Sequence, residues 1–349
     1  DSLHPTALHR AGARDEYGCP MPAPCVAPVT IAPEQASWFA ETFSILAANV
    51  EQAILGKRHV IELALAAAVS GGHVLLEDFP GTGKTALARA IAQTVTGTST
   101  RIQFTPDLLP GDVTGITVYD QKEGAFEFHA GPIFANIVLA DEINRASPKT
   151  QAALLEVMEE GSVTIDGVTR AVGAPFLVLA TQNPVEQAGT YRLPEAQLDR
   201  FLLRTALGYP DHAATVRILD RAAVATADLS PVLTPGALVG MSELAADVYV
   251  DALVLDYIAR LVDATRAADE VRLGVSIRGA LALTRAARTS AAAHGRTYVT
   301  PDDVKRLAVP VLAHRLILHA EAEFDGVAPE AVIGQVLLDV APPTRPASA

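Results

Sequence analysis

The sequence predicts an α/β domain built on a parallel sheet between helices, followed by a smaller all-α domain. Its first part contains short apolar runs that do not alternate with polar residues, which is typical of buried parallel strands. These runs occupy residues 73–76, 137–140, 176–180 and 201–207. From about residue 212 the pattern is helical, with little strand signal. A length of 349 residues, half of them hydrophobic, is enough for about two domains.

Four segments are expected along the chain. Residues 1–36 are rich in proline, alanine, histidine and glycine without a sustained period, which indicates a disordered leader. The α/β domain covers 37–211, the helical domain 212–340, and a flexible tail 341–349. Helical spacing predicts helices at 37–50, 60–69, 85–94, 252–264, 277–293 and 301–314.

Composition narrows the class of function. The formal net charge of -13 argues against a nucleic acid as the main partner, since nucleic-acid footprints are basic. The two cysteines, Cys19 and Cys25, lie in the leader, and their spacing fits neither a disulfide framework nor a zinc site. No apolar stretch is long enough to cross a bilayer and the start lacks a secretory layout, so a cytoplasmic location is expected.

A glycine-rich turn follows the first predicted strand. The turn and the start of the next helix contain Pro80, Gly81, Thr82, Gly83, Lys84, Thr85 and Ala86. Glycines let backbone N–H groups fold around a phosphate, Lys84 can neutralise the terminal phosphates, and the Thr85 hydroxyl suits a magnesium ion. The general motif has glycine at the first of its eight positions, where this chain has Asp78. The turn therefore predicts a phosphate-binding loop with one departure from the pattern.

Polar residues also end the next two strands of the predicted sheet. Asp141 is placed to hold magnesium through water, and Glu142 to polarise an attacking water as general base. Asn183 follows the third strand, where its amide can orient that water or contact the terminal phosphate. Because a proline comes next, Asn183 is equally typical of a simple turn residue.

Two arginines are candidates for stabilising charge on transferred phosphates. Arg200 ends a short helical segment, where it is either a phosphate-site arginine or a surface salt-bridge residue. Arg278 opens a helix of the second domain, where the positive helix end disfavours a cation unless an anion is near. We expect Arg278 to reach back to the nucleotide.

The order of these segments resembles the AAA+ ATPases, specifically the MoxR family. The stretches that carry the resemblance are HVLLED (73–78), RIQFTPDLLP (101–110), DEINRA (141–146), ATQNP (180–184) and EAQLDRF (195–201). The similarity runs from about residue 37 to residue 338. Asp78, a departure from the general phosphate-loop pattern, is ordinary in this family.

The resemblance implies an AAA+ P-loop NTPase core, a parallel sheet between helices, followed by a small all-α lid domain. It also implies ATP and Mg²⁺ as cofactors. One departure is Ile277, where the family usually has a proline before the arginine. The implied roles are Lys84 and Thr85 as Walker A, Asp141 and Glu142 as Walker B, Asn183 as sensor 1, Arg200 as a neighbour's arginine finger, Arg278 as sensor 2, and Ile54 and Gly56 as adenine lining.

The family also carries insertions that face the pore of a ring. Residues 106–134 match one of them, a hairpin with Phe126 and Phe128. Residues 161–167 match another, two short strands around Asp166 and Gly167. The alternative for both insertions is an ordinary surface hairpin.

The resemblance implies a homo-hexameric ring that hydrolyses ATP to ADP and phosphate. The ring would remodel a protein client, in the manner proposed for MoxR proteins acting with von Willebrand A-domain partners. A magnesium-chelatase-type ATPase subunit shares the same core and is the nearest alternative. A DNA-acting AAA+ motor is disfavoured by the acidic balance. A nucleotide-binding scaffold without turnover is disfavoured by the presence of both Glu142 and Arg200.

Overall fold

The computed structural model describes residues 30–78, 81–183, 191, 193–221 and 229–343. The helices are α1 (Pro33–Glu51), α2 (Arg58–Val69), α3 (Lys84–Thr94), α4 (Pro110–Thr114), α5 (Pro148–Glu160), α6 (Glu195–Leu198), α7 (His212–Arg221), α8 (Pro235–Ala246), α9 (Ala252–Ala267), α10 (Ile277–Ala293), α11 (Pro301–Leu312), α12 (Ala320–Phe324) and α13 (Pro329–Asp339). The strands are β1 (Val74–Glu77), β2 (Ser99–Gln103), β3 (Gly115–Asp120), β4 (Ala125–Ala130), β5 (Ile137–Asp141), β6 (Ser162–Ile165), β7 (Val168–Ala171), β8 (Leu177–Gln182), β9 (Leu203–Thr205), β10 (Val271–Leu273) and β11 (Ile317–Leu318).

Five strands form a parallel central sheet in the order β2-β5-β8-β1-β9. Every pairing in this sheet is parallel, and all five residues of β5 are buried. The continuous apolar runs of the sequence are therefore confirmed as buried parallel strands. Because the strands are parallel, their ends define two opposite edges, which we call the carboxyl edge and the amino edge.

Two apolar clusters pack against the sheet. One cluster includes Leu46 of α1, Leu65 of α2 and Leu283 of α10, so the first helices and the helical domain share one core. The other lies on the opposite side and includes Phe104, Leu154 and Phe201. Burying a Leu or Phe side chain contributes about 1.5–3 kcal/mol, so these clusters are the main source of stability.

The helical region after residue 229 is confirmed, with one addition. Strands β10 and β11 pair antiparallel within it, although the sequence there has little strand signal. Helix α11 begins after Thr300, as expected from the threonine, proline and acidic residues at this point. The Asp303 carboxylate accepts from the Thr300 N–H at 2.9 Å, which closes the first turn.

Both predicted hairpins are present. Strands β3 and β4 pair antiparallel, and Phe126 on β4 is 76% exposed. Strands β6 and β7 also pair antiparallel, around Asp166 and Gly167 with φ of 52° and 75°, values typical of a type I′ turn. The Arg170 guanidinium of β7 stacks 4.0 Å from the ring centre of Phe128, which joins the two hairpins. Their location at a pore stays a prediction.

Among the described residues, every helix is too short or too polar to span a lipid bilayer. The leader cysteines, Pro80 and most of the predicted tail lie outside the described residues.

Candidate functional site

The glycine turn lies at the carboxyl edge, between β1 and α3. Gly81 and Gly83 have φ of 84° and 99°, the left-handed region that glycine enters without strain. A Cβ at Gly81 would meet nothing within 4 Å, so the backbone conformation, not crowding, requires glycine. Gly83 caps α3 and Lys84 is its first residue, so the positive helix end faces the turn. This arrangement suits a phosphate.

Asp78 has a definite place in the turn. It is 3% exposed, and its carboxylate accepts from the Gly208 N–H at 2.8 Å. Its backbone carbonyl accepts from Lys84 Nζ at 2.9 Å. A glycine at this position would lose the bond to Gly208, which ties the turn to the chain after β9. The departure from the general motif is thus explained by a contact that the sequence alone does not reveal.

The acidic pair ends β5 at the same edge. One oxygen of the Asp141 carboxylate accepts from the Thr181 hydroxyl at 2.6 Å, and the other forms an ion pair with Arg101 at 2.7 Å. Thr181 Oγ1 also accepts from the Glu142 N–H at 2.8 Å. One hydroxyl of β8 therefore aligns both acids of β5.

Glu142 adopts a backbone conformation that is unusual for a residue with a side chain. Its φ is 56°, and such strain costs about 1–3 kcal/mol, which is typical of functional sites. Its Oε2 accepts from Gln103 Nε2 at 3.1 Å and from Arg145 at 2.8 Å. These bonds hold the carboxylate at the carboxyl edge, beside Asp141.

Sequence reasoning missed three partners of the acids: Arg101, Gln103 and Thr181. Arg101 and Gln103 are two residues apart on β2, so they share one face of a strand that pairs with β5. Arg101 and Gln103 are polar residues two positions apart, on either side of the apolar Ile102, in the stretch 101–110 that resembles the family. This spacing could have indicated a strand with one polar face. Thr181 lies two residues before Asn183, which the sequence did predict as a site residue.

Asn183 leaves β8 at the carboxyl edge. Since β8 lies between β5 and β1, Asn183 emerges between the acidic pair and the glycine turn. Of the predicted adenine residues, Ile54 lies against the turn, and Gly56 lies against α7, the helix that follows β9. A Cβ on Gly83 would stand 3.9 Å from Ile54 Cδ1, and one on Gly56 would stand 3.3 Å from Ala214 Cβ. Lys84, Thr85, Asp141, Glu142, Asn183, Ile54 and Gly56 are therefore all brought to one end of the sheet.

The two arginines lie elsewhere. Glu159, near the end of α5, pairs with Arg200 at 3.0 Å and with Arg278 at 2.5 Å. The sequence did not single out Glu159. Two guanidinium groups converging on one carboxylate form a site that can accept an anionic group.

This arginine pair lies at the amino edge. His73, which precedes β1, donates through Nε2 to the Met158 carbonyl at 3.0 Å, and its own carbonyl accepts from the Leu202 N–H at 2.8 Å. Met158 precedes Glu159, so Glu159 and the chain next to Arg200 both border His73. From His73 to Asp78 the strand rises roughly 16 Å at ~3.3 Å per residue. Arg278 therefore does not lie near the Lys84 of its own chain.

His73 is buried and its ring links the end of α5 to β8. Val178 N–H donates to Nδ1 at 3.0 Å while Nε2 donates to Met158, so the ring is satisfied only when neutral. The pKa of His73 is lowered to about 4, chiefly by burial; the bond to the Met158 carbonyl opposes this shift and the charge of Arg285 adds to it.

The carboxyl edge fits a nucleoside triphosphate with Mg²⁺. The open glycine turn and the helix start suit phosphates, and Thr85 and Asp141 offer the hard oxygen ligands that Mg²⁺ takes. Where the structure describes the chain, no three His, Cys, Asp or Glu side chains gather as a metal cage. Mg²⁺ keeps water and phosphate oxygens among its ligands, so Thr85 and Asp141 would hold it together with the nucleotide.

Comparison with protein families matches two models to this chain. Residues 73–203 match the ATPase family associated with various cellular activities (AAA), and residues 263–336 match an AAA lid domain. The first match contains both edges of the sheet. The second contains Arg278.

Similar proteins occur in several bacteria. The chain is 48% identical to the protein YeaC of Bacillus subtilis, over 85% of this chain and 93% of that one. It is 44% identical to the chaperone MoxR1 of Mycobacterium tuberculosis, over 84% and 81%. The crystal structure of an ATPase candidate from Cytophaga hutchinsonii superposes with a TM-score of 0.84 at 37% identity, covering 89% of this chain and 98% of that one.

Proposed function

Because the chain belongs to the MoxR family of AAA+ ATPases, we propose that it hydrolyses ATP at sites completed by a neighbouring copy. The separation of the two halves of the site supports this proposal. Lys84, Asp141 and Glu142 lie at the carboxyl edge, whereas Arg200 and Arg278 lie at the amino edge. One chain does not bring the arginines to its own phosphates, but the amino edge of a second copy can.

The residues of the carboxyl edge would bind the nucleotide. The backbone of the glycine turn, with Thr82 and Ala86 beside it, would donate to the phosphates, and Lys84 would bind their terminal oxygens. Thr85 and Asp141 would hold Mg²⁺, which offsets phosphate charge when bound. Ile54 and Gly56 would line the adenine.

Hydrolysis would proceed by in-line attack of water on the terminal phosphorus. The bond to the bridging oxygen breaks, and ADP and phosphate are the products. Glu142 would take the proton of the water, and Asn183 would orient that water. Both bonds to Glu142 end on Oε2, so the water would approach Oε1. Arg200 and Arg278 of the neighbour would stabilise the charge on the transferred group.

The partner we propose is a protein client, reached together with a von Willebrand A-domain protein by a homo-hexameric ring. One relative is named as a chaperone, which supports a protein client. The exposed Phe126 and Tyr119, which stack edge to face on the β3–β4 hairpin, offer apolar surface to such a client. A pull-down with the Glu142→Gln chain and ATP would identify both partners.

The shared site is tested by mixing two inactive variants. Glu142→Gln removes the base, and Arg200→Ala removes the neighbour's arginine. Each alone is expected to bind ATP and lose hydrolysis, by 10²-fold or more. In a mixture, some interfaces combine an intact acid with an intact arginine, so steady-state ATPase activity should return.

A mixture that stays inactive would place both residues in one chain's own site and contradict the shared site. Unchanged turnover in Glu142→Gln would remove that residue from its role. Arg272→Ala, an exposed arginine on β10, is the control and should leave turnover unchanged.

A further inference from the structure

A buried ion pair joins the helical domain to the chain that carries Arg200. Arg315 follows α11, and its side chain is 2% exposed. Its Nε donates to Asp199 Oδ1 at 2.7 Å, across 116 residues of sequence. Asp199 is the residue immediately before Arg200.

The rest of the Arg315 guanidinium binds backbone on both sides of Arg200. It donates to the carbonyl oxygens of Asp199 at 3.2 Å, Phe201 at 2.6 Å and Leu202 at 3.3 Å. His314 adds a contact to the Phe201 carbonyl at 3.2 Å. A planar guanidinium spreads five N–H donors over three nitrogens, whereas an ammonium group has three donors on one nitrogen and cannot span acceptors placed this far apart. The backbone around Arg200 is thus held from the helical domain.

The same carboxylate also reaches the helix that carries Arg278. The Ser276 hydroxyl donates to Asp199 Oδ2 at 3.1 Å and accepts from the Gly279 N–H at 3.2 Å, which caps α10. A Cβ on Gly279 would stand 2.8 Å from Arg315 Cδ, so glycine lets the Arg315 stem pass against the first turn of α10. Asp199 and Arg315 therefore contact both arginine-bearing segments.

We propose that Asp199 and Arg315 are positioning residues that set the distance and direction between Arg200 and Arg278. The proposal rests on the proposed function, in which these two arginines meet the phosphates of a neighbouring copy. Neither Asp199 nor Arg315 touches that nucleotide. They act by holding two segments from different parts of the chain so that both guanidinium groups converge on one anion, as they do on Glu159.

The first measurement is the kinetics of Asp199→Asn and Arg315→Lys in the full chain. Because the carboxyl edge is intact, ATP affinity should not change. The turnover number should fall on the order of tenfold to hundredfold, since small misplacements of catalytic groups cost this much. A weaker ATP affinity with an unchanged turnover number would overturn the proposal.

The second measurement asks which half of the site the substitution damages. Asp199→Asn mixed with Glu142→Gln should regain ATPase activity, because the second chain supplies an intact amino edge. Mixed with Arg200→Ala it should not, because neither chain then has one. Recovery with both partners would overturn the proposal. Failure with both would show a general folding defect rather than a positioning role, and would also count against it.

A third measurement does not depend on the shared site. Amide hydrogen exchange in Arg315→Lys should rise in residues 199–203 and 276–280 together, and stay unchanged in 81–85. Exchange that rises in only one segment would contradict the coupling. If Glu142→Gln and Arg200→Ala fail to complement each other, the proposed function fails while this result still decides the positioning role.

Ser276→Ala is the milder variant should the buried pair prove essential for folding. It removes one bond to Asp199 and one helix cap. Thr234→Ala is its matched control, since Thr234 caps α8 by accepting from the Ala237 N–H at 3.3 Å. We expect both variants to lose thermal stability through the lost cap, Ser276→Ala somewhat more because it also loses the bond to Asp199, and a lower turnover number only for Ser276→Ala. Equal turnover in the two variants would contradict the proposal.

Discussion

The two edges of the central sheet are built in different ways. At the carboxyl edge, residues close to strand ends form the site, and the contacts that align them run between neighbouring strands, as Thr181 does for Asp141. At the amino edge, Arg200 is held by a buried residue of the helical domain, Arg315. The nucleotide half therefore depends on local chain geometry, while the arginine half depends on how the helical domain packs.

The two halves of the site therefore respond differently to a shift of the helical domain. A shift of the helical domain would move Arg278 directly and Arg200 through Arg315, while the glycine turn stays attached to β1 and α3. We infer that movement of the helical domain would change the rate of hydrolysis through the amino edge, because it would displace Arg200 and Arg278.

The largest effects are expected from replacing one cation at each edge of the sheet. Lys84→Ala should abolish ATP binding by a single chain, because it removes the charge that neutralises the phosphates. Arg200→Ala should leave that binding intact and lower turnover by about 10³–10⁵-fold, the range found for arginines supplied in trans. Equilibrium titration with a fluorescent ATP analogue and steady-state ATPase assays measure both. Loss of binding in Arg200→Ala would show that the two edges are not separate.

The next effect concerns the stability of the amino edge. His73 is neutral when folded and has a pKa of about 4, below its ordinary value of 6.5, so the unfolded chain binds more protons between these values. Its contribution is complete above about pH 6.5 and is lost as the pH falls towards 4. Between pH 7 and pH 5 the loss should be about 2 kcal/mol.

Urea denaturation at both pH values compares this chain with His73→Gln. The substituted chain should show a shallower dependence of unfolding free energy on pH, because it lacks the titrating His73. The carboxylates are the same in both chains, so their contribution cancels when the two slopes are subtracted. His314 is also buried, with burial and Arg315 holding its pKa well below its ordinary range, so it titrates in both chains alike. Identical pH slopes in the two chains would contradict the role of His73.

The smallest effect is expected at Glu159. Its ion pairs with Arg200 and Arg278 are partly exposed, so Glu159→Gln should change the free energy of unfolding by less than about 1 kcal/mol. Without this carboxylate, Arg200 and Arg278 are not neutralised within their own chain and can bind the phosphates of a neighbouring copy. The affinity of self-association in the presence of ATP should therefore increase. Sedimentation velocity measures that, with the exposed Glu156→Gln of α5 as control. Weaker association would contradict the inference that Glu159 competes with a neighbouring copy for Arg200 and Arg278.

Much of the carboxyl edge could be predicted from the sequence. Its strands are continuous apolar runs, and the residues that leave them are chemically distinctive, as for Lys84, Asp141 and Glu142. Helix α10 has the predicted bounds, 277–293, because its apolar residues keep helical spacing. Strand β2 was missed because it is an edge strand with mostly polar residues, in which only Ile102 is buried.

The amino edge could not be predicted in the same way. Asp199 and Arg315 meet only after the chain has folded, and neither has a local pattern that predicts the contact. Helix α1 begins at Pro33, before the predicted residue 37, because proline is favoured in the first turn of a helix. Residue patterns thus predict neither the contacts between distant parts of the chain nor the exact ends of helices and strands.

The opposite placement of the two edges also has a consequence for symmetry. In a twofold interface every contact occurs twice, so two chains lying antiparallel would complete both of their sites and leave no edge free. Copies that associate head to tail instead use one carboxyl edge and one amino edge at every interface. Every interface in such an assembly points the same way round, and the assembly ends only by closing on itself.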